Sequence, residues 1–188
     1  MGKIILNTAL TSLRGRVDGW VYRRRAGQTL VAKLPDFSQV VASAGQLVLH
    51  ERFLRALEYG KAVNGDPARR EPYELAAQGT LSSPFSIAVG DAMGLPVVKE
   101  VDITAYAGHP GNVVKVDARD DFEVVGVKLT VRDATSGAVV EQGQAVKSGG
   151  FWVYTAQTEA PRDRDLEIEA EASDRPGNQR TLSEMWHG

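Results

Sequence analysis

The sequence predicts an α+β chain: an N-terminal β-hairpin with short helices, followed by an all-β sandwich of Greek-key type. Three observations predict it. Two runs rich in β-branched and aromatic residues flank Ala26-Gly27, a dipeptide suited to a tight turn. Apolar residues between 46 and 94 recur at helical spacing, and from Leu95 onward the period changes to two. Turn signals then separate six or seven short strands at near-regular intervals, the pattern of a sandwich.

The hairpin spans Val17 to Leu34, and Pro35, which cannot donate to a ladder, closes its second strand. Its first arm carries Trp20, Tyr22 and three consecutive arginines, Arg23, Arg24 and Arg25. A lone hairpin is marginal in water, so this one needs a surface to lean on, and the helices are the nearest. Upstream, residues 3–13 hold Ile4, Leu6, Leu10 and Leu13 as buried or docking positions, either in an added strand or in an arm.

From Gln46 to Val63, residues Leu49, Phe53, Ala56, Leu57 and Gly60 form a helical stripe. Ser43 is the expected N-cap, Glu51 and Arg55 an i, i+4 ion pair, and Asn64-Gly65 the stop. Asp66-Pro67 starts a second helix, which Pro72 should limit to a turn or two. Ser83-Pro84 starts a third, with Phe85, Ala88, Val89 and Ala92 on one face and Gly94 as its stop.

The expected strands are 97–106, 112–118, 123–133, 138–144, 151–158, 165–173 and 179–183. Alternation is cleanest in Leu166-Glu-Ile-Glu-Ala-Glu-Ala172, aliphatic on one face and acidic on the other. The domain boundary is placed near Gly94-Leu95-Pro96, giving 1–94 and 95–188.

Charge is uneven. Residues 1–94 hold 12 Lys and Arg against 8 Asp and Glu, a net of +4, and residues 95–188 hold 10 against 16, a net of −6, which together give −2. A basic front and an acidic back either neutralise each other within one molecule or attract between copies. There are no cysteines, which excludes disulfides, thiolate catalysis and cysteine-ligated metals. The apolar patch at the N-terminus is too short and polar for a signal-peptide core, and no run is long enough to span a membrane. Cytoplasmic synthesis without a cleavable leader is expected, with an extracellular or particle-associated destination left open.

No chemical motif stands out, and no cofactor is expected. His50, His109 and His187 lie far apart without metal-ligand spacing. Nucleophile elbows, phosphate loops and dinucleotide fingerprints are absent, so no catalytic residue is assigned and an enzyme is not expected. Asp117, Asp120 and Asp121, with Asp174 and Asn178, could meet at one end of a sandwich and bind calcium. Their spacing matches no calcium-loop template, so solvated turn carboxylates and no metal are expected. Arg14, Arg16, Arg23, Arg24 and Arg25, with Trp20 and Tyr22, form the basic–aromatic cluster. Such a cluster suits a nucleic-acid backbone with stacked bases or, in a chain of net negative charge, a protein interface.

Glu169-Ala-Glu-Ala-Ser-Asp174 followed by Arg-Pro-Gly-Asn178 resembles the last strands of bacterial immunoglobulin-like domains, and Trp152-Val-Tyr154 is similar to their buried aromatic strand. The front, with Gly15, Val17, Val21, Arg23, Gly27, Val31, Pro35, Gln46, Arg52, Phe53 and Ala56, resembles uncharacterised bacterial proteins that join a glycine-bounded hairpin to a helix. The resemblance implies an immunoglobulin-like fold and no activity. It shifts the expectation toward adhesion, surface fibres or particles. The expected function is therefore non-enzymatic: self-assembly into a fibre or particle with other copies of the chain. The interface would comprise Ile4, Leu6, Leu10, Leu13, Trp20, Tyr22 and Arg23 to Arg25. The alternative is a binding module for nucleic acid or carbohydrate.

Overall fold

The computed structural model describes residues 14–25, 28–36 and 41–188. The Ala26-Gly27 turn and the positions Ile4, Leu6, Leu10 and Leu13 lie outside them. The chain falls into two compact units, 1–46 and 47–188. Its described residues make an α+β, mostly β architecture with three antiparallel sheets.

In the first unit, β1 (Gly15–Val17), β2 (Trp20–Arg25) and β3 (Gln28–Lys33) form a sheet in the order β1-β2-β3. The expected hairpin is β2–β3, with Trp20 opposite Lys33 and Arg25 opposite Gln28. The extra strand β1 comes from a second turn, Asp18-Gly19, whose φ angles of 50° and 79° suit a two-residue hairpin connection. That Asp-Gly signal stands in the sequence and would have predicted the strand.

Helix α1 (Ala44–Gly65) opens on a reciprocal cap: the Gln46 backbone N–H donates to Ser43 Oγ at 3.3 Å, and the Ser43 N–H donates to Gln46 Oε1 at 2.8 Å. The Glu51–Arg55 pair is present and exposed, so it stabilises the helix by about a few tenths of a kcal/mol. The apolar stripe differs from expectation. Leu49 and Phe53 are exposed, while Ala56, Gly60 and Val63 are buried. A Cβ on Gly60 would sit 2.7 Å from Val89 Cγ2 and 2.9 Å from Phe85 Cε2, so that glycine lets α1 and α3 approach closely.

Helix α2 (Pro67–Ala77) is capped by Asp66 Oδ1, which accepts from the Ala68 and Arg69 N–H groups. It runs through Pro72 for 11 residues, longer than expected. Proline removes one backbone bond, and the neighbouring Tyr73 is buried, which offsets the loss. Helix α3 (Pro84–Met93) starts at Ser83, whose Oγ accepts from the Ser86 N–H at 3.1 Å. Val63, Tyr73 and Ala88 form a small core with Tyr59, Ile87 and Phe122 packed against it. Phe122 precedes the strand that starts at Val124 and lies 28° from parallel to Tyr73, with centroids 4.8 Å apart. The buried positions of the helices thus pack among themselves and against Phe122 of the same unit.

The remaining strands are β4 (Val97–Asp102), β5 (Val113–Arg119), β6 (Val124–Asp133), β7 (Val139–Gln144), β8 (Val146–Ser148), β9 (Phe151–Thr155), β10 (Leu166–Asp174) and β11 (Gln179–Trp186). They form two four-stranded sheets in the orders β11-β10-β6-β7 and β4-β5-β9-β8. Val114, Val116, Trp152 and Tyr154 of one sheet and Val127, Leu129, Val131, Leu166 and Ile168 of the other share one core, a sandwich-like arrangement. On β10 the expected alternation holds along its length: Leu166, Ile168, Ala170 and Ala172 are fully buried, and Glu167, Glu169 and Glu171 between them are partly exposed.

The first and last strands depart from expectation for local reasons. β4 stops at Asp102 because its Oδ1 accepts from the Thr104 N–H and hydroxyl, which turns the chain. β11 continues to Trp186, whose Nε1 donates to the Tyr106 carbonyl at 3.1 Å and whose ring meets Tyr106 edge-on. Next to it, His187 Nδ1 lies 2.8 Å from Asp165 Oδ1.

The β6–β7 turn gives a pH-dependent prediction. Asp133 Oδ1 accepts from the Thr135 and Ser136 N–H groups, and Oδ2 accepts from Arg164 Nη1. The Ser136 N–H and the Arg164 guanidinium hold its carboxyl down at about 2. The folded state favours the ionised form, so the stabilisation is complete above the unfolded value of about 4 and disappears as pH falls through about 2. Asp133→Asn should lower the thermal midpoint at pH 7 and flatten its decline between about pH 4 and about pH 2. An unchanged acid limb would show that other carboxylates set it.

Candidate functional site

Three aspartates from three separate elements converge at one end of the β-rich unit. Each offers a carboxylate oxygen, and these atoms lie within 4.8 Å of one another: Asp91, Asp120 and Asp174. Asp91 sits in the last turn of α3, just before Gly94 ends the helix by donating its N–H to the Gly90 and Asp91 carbonyls at 2.9 Å. Asp120 lies in the β5–β6 turn, where its Oδ2 accepts from the Phe122 and Glu123 N–H groups, each at 3.1 Å. Asp174 ends β10. Its Oδ1 accepts from the Gly177 and Asn178 N–H groups at 2.8 and 2.6 Å, and its Oδ2 from Asn178 Nδ2 at 2.7 Å. Gly177, at φ 94°, supplies the left-handed residue that this turn requires.

The junction is tied together from outside the carboxylates as well. Asn178 Nδ2 donates to the Gly94 carbonyl at 3.3 Å, and Arg52 Nη2 on α1 donates to the Met93 and Gly94 carbonyls. The Tyr73 hydroxyl donates to Asp91 Oδ2, and Tyr59 Oη lies 2.8 Å from Tyr73 Oη. Asp91 and Asp174 are each only 3% exposed. Two carboxylate oxygens, Asp91 Oδ1 and Asp120 Oδ1, are buried with no hydrogen-bond partner.

Burial pushes the Asp91 carboxyl up to about 6. The hydrogen bond from Tyr73 opposes that shift, the Asp120 and Asp174 charges add to it, and Arg175 opposes it in turn. Three carboxylates this close repel by roughly 3 kcal/mol per ionised pair at an effective dielectric of about 20. Such a group accepts a hard cation or holds a proton.

Of the five residues grouped from the sequence, the structure brings Asp120, Asp174 and Asn178 together. Asp117 instead pairs with Arg119 along β5, at 3.0 Å from both Nε and Nη2, and Asp121 is exposed outside the cluster. The expectation of solvated carboxylates fails for Asp174, which is buried. Asp91 was missed, although its spacing carried a signal: it falls three residues after Ala88, on the buried face of α3, where an unpaired charge is unusual.

The basic–aromatic cluster divides by strand alternation. The register places Val17, Trp20, Tyr22, Arg24, Val31 and Lys33 on one face of the first sheet, and Arg16, Val21, Arg23, Arg25, Leu30 and Ala32 on the other. Arg14, Arg16 and Arg23 to Arg25 are all exposed. Trp20 is 46% exposed and Val17 50%, while Val31 is buried. His50 lies on α1, and His109 sits 2.9 Å from Glu159 beside Arg162. None of the three histidines belongs to the aspartate cluster. Among the described residues no helix is long and apolar enough to cross a membrane.

No family model matches the chain, and no curated protein matches it. Among solved structures, an engineered protein is similar over 54% of this chain at 16% identity with a TM-score of 0.35, and this chain spans about a quarter of its length, 26%. A conjugative transposon lipoprotein from Bacteroides eggerthii DSM 20697 is similar over 50% of this chain and 97% of its own, at 13% identity with a TM-score of 0.28.

Proposed function

We propose that the chain is a non-catalytic structural protein whose N-terminal sheet associates with further copies of itself and whose β-rich unit is an immunoglobulin-like spacer. One observation carries the assembly reading. The face of the β1–β3 sheet that holds Val17, Trp20 and Tyr22 beside Arg24 and Lys33 leaves Val17 and Trp20 about half exposed. Aromatic and arginine side chains on an apolar patch are the composition of protein interfaces. A three-stranded sheet with so little buried surface is marginal until a partner covers it.

A second copy is the fitting partner because the charges complement. Residues 1–46 hold seven Lys and Arg against two Asp, a net of +5, which leaves −7 on residues 47–188. The outer face of β10 presents Glu167, Glu169 and Glu171 in a row. The spacer reading is supported by strand order: with β4, β5 and β6 taken as strands A, B and C, the two sheets run A-B-E-D and G-F-C-C′.

The test is solution mass over a concentration series at low and high salt. The full chain should form oligomers that weaken in high salt, and Trp20→Ala should shift it to monomer without loss of helix or strand signal. A monomer at every concentration would remove the reading. The exposed row Arg16, Arg23 and Arg25 on the opposite face favours a second reading, an anionic ligand such as nucleic acid. Replacing those three by alanine would then abolish single-stranded DNA binding and leave the oligomeric state unchanged.

A further inference from the structure

We propose that Asp91, Asp120 and Asp174 form a calcium site that ties the end of α3 to the β5–β6 and β10–β11 turns. Acidic turns are common without an ion, and convergence alone would not assign one. The second observation is the orphaned oxygen of Asp91: the residue is only 3% exposed, its Oδ2 is fixed by the Tyr73 hydroxyl, and its Oδ1 has no partner. A buried carboxylate oxygen without a donor is costly, and a cation supplies what the protein does not. Asp120 repeats the arrangement, with Oδ2 held by two backbone N–H groups and Oδ1 unpartnered.

The donor set selects the ion. The cluster holds carboxylate oxygens and neither imidazole nor thiolate, which disfavours zinc and copper and suits a hard cation. Three carboxylates give three to six oxygens according to denticity, and water entering past the partly exposed Asp120 would complete the six to eight that calcium takes. Magnesium requires a tighter octahedron and dehydrates reluctantly, so it should bind less well. The ligands are prepositioned: Asp174 by the Gly177–Asn178 turn, Asp120 by the Phe122 and Glu123 N–H groups, and Asp91 by Tyr73.

The experiment is titration of the chelator-treated full chain with calcium chloride and with magnesium chloride, read by calorimetry and by thermal midpoint. Calcium should bind at one site with a Kd of about 0.1–1 mM and raise the midpoint by about 5 °C near saturation, with magnesium at least about tenfold weaker. Asp120→Asn should remove the response. Asp121→Asn, with the same charge change at the next residue outside the cluster, should keep it. Terbium gives a readout on the unaltered chain: its emission, excited through Tyr73 beside Asp91, should appear and be displaced by calcium. Absence of heat, midpoint shift and terbium emission at about 10 mM ion would overturn the proposal. So would an Asp121→Asn variant that loses the response as fully as Asp120→Asn.

Discussion

Replacing Ile168 by alanine should destabilise the β-rich unit by about 2–5 kcal/mol, the range for deleting a fully buried aliphatic side chain and leaving a cavity. Ile168 lies at the centre of β10, opposite Val131 on one side and Glu184 on the other, with no exposed surface. Its neighbours in the shared core come from both four-stranded sheets, so the cavity cannot collapse by moving one strand alone. At this chain length the thermal midpoint should fall by roughly 5–15 °C. The next residue provides the contrast. Glu169 points to the outer face and meets Arg132 Nη2 at 2.9 Å in a partly exposed pair, so Glu169→Ala should cost under about 1 kcal/mol. Urea unfolding of the two variants measures the difference. Equal costs would show that the two faces of β10 are not the buried and wet sides of one sheet.

Tyr73→Ala should be of similar size, about 3–5 kcal/mol, because the ring joins four elements. It lies on α2, stacks on Phe122, meets Tyr59 of α1 edge-on at 6.4 Å, and donates from its hydroxyl to Asp91 of α3. The hydroxyl separates from the ring by Tyr73→Phe, which keeps the packing and deprives buried Asp91 Oδ2 of its donor. That variant should cost about 1–3 kcal/mol, the penalty for an unsatisfied buried polar group. Denaturant midpoints for the two variants give both terms. If Tyr73→Phe is neutral, the hydroxyl is not what anchors Asp91.

These two residues mark where sequence reading works and where it stops. Ile168 was placed by its alternation with Glu167 and Glu169, since a half-buried strand imposes period two on its own residues. For the same reason the Ser83-Pro84 and Asp66-Pro67 helix starts, the Ser43 cap and the β2–β3 pairing were legible: each depends on residues within a few positions of one another. Tyr73 was passed over because its partners Tyr59, Asp91 and Phe122 are 14, 18 and 49 positions away. Pro72 beside it argued for a shorter helix than the packing permits.

The amino-acid sequence by itself determined the order of the helices and of the longer strands, the change from helical to strand period at Leu95, most turn positions and the unequal charge of front and back. Each follows from local backbone preference or from composition. The short strands β1 and β8 were not among its expectations. Tertiary structure alone decided that Leu49 and Phe53 stay exposed while Gly60 is buried against Phe85 and Val89, because only packing says which face of a helix meets a neighbour. It also decided the meeting of Asp91, Asp120 and Asp174. A carboxylate cluster drawn from one helix end and two turns has no sequence spacing to recognise. Its energetics come from burial and mutual distance, which exist only once the chain has folded.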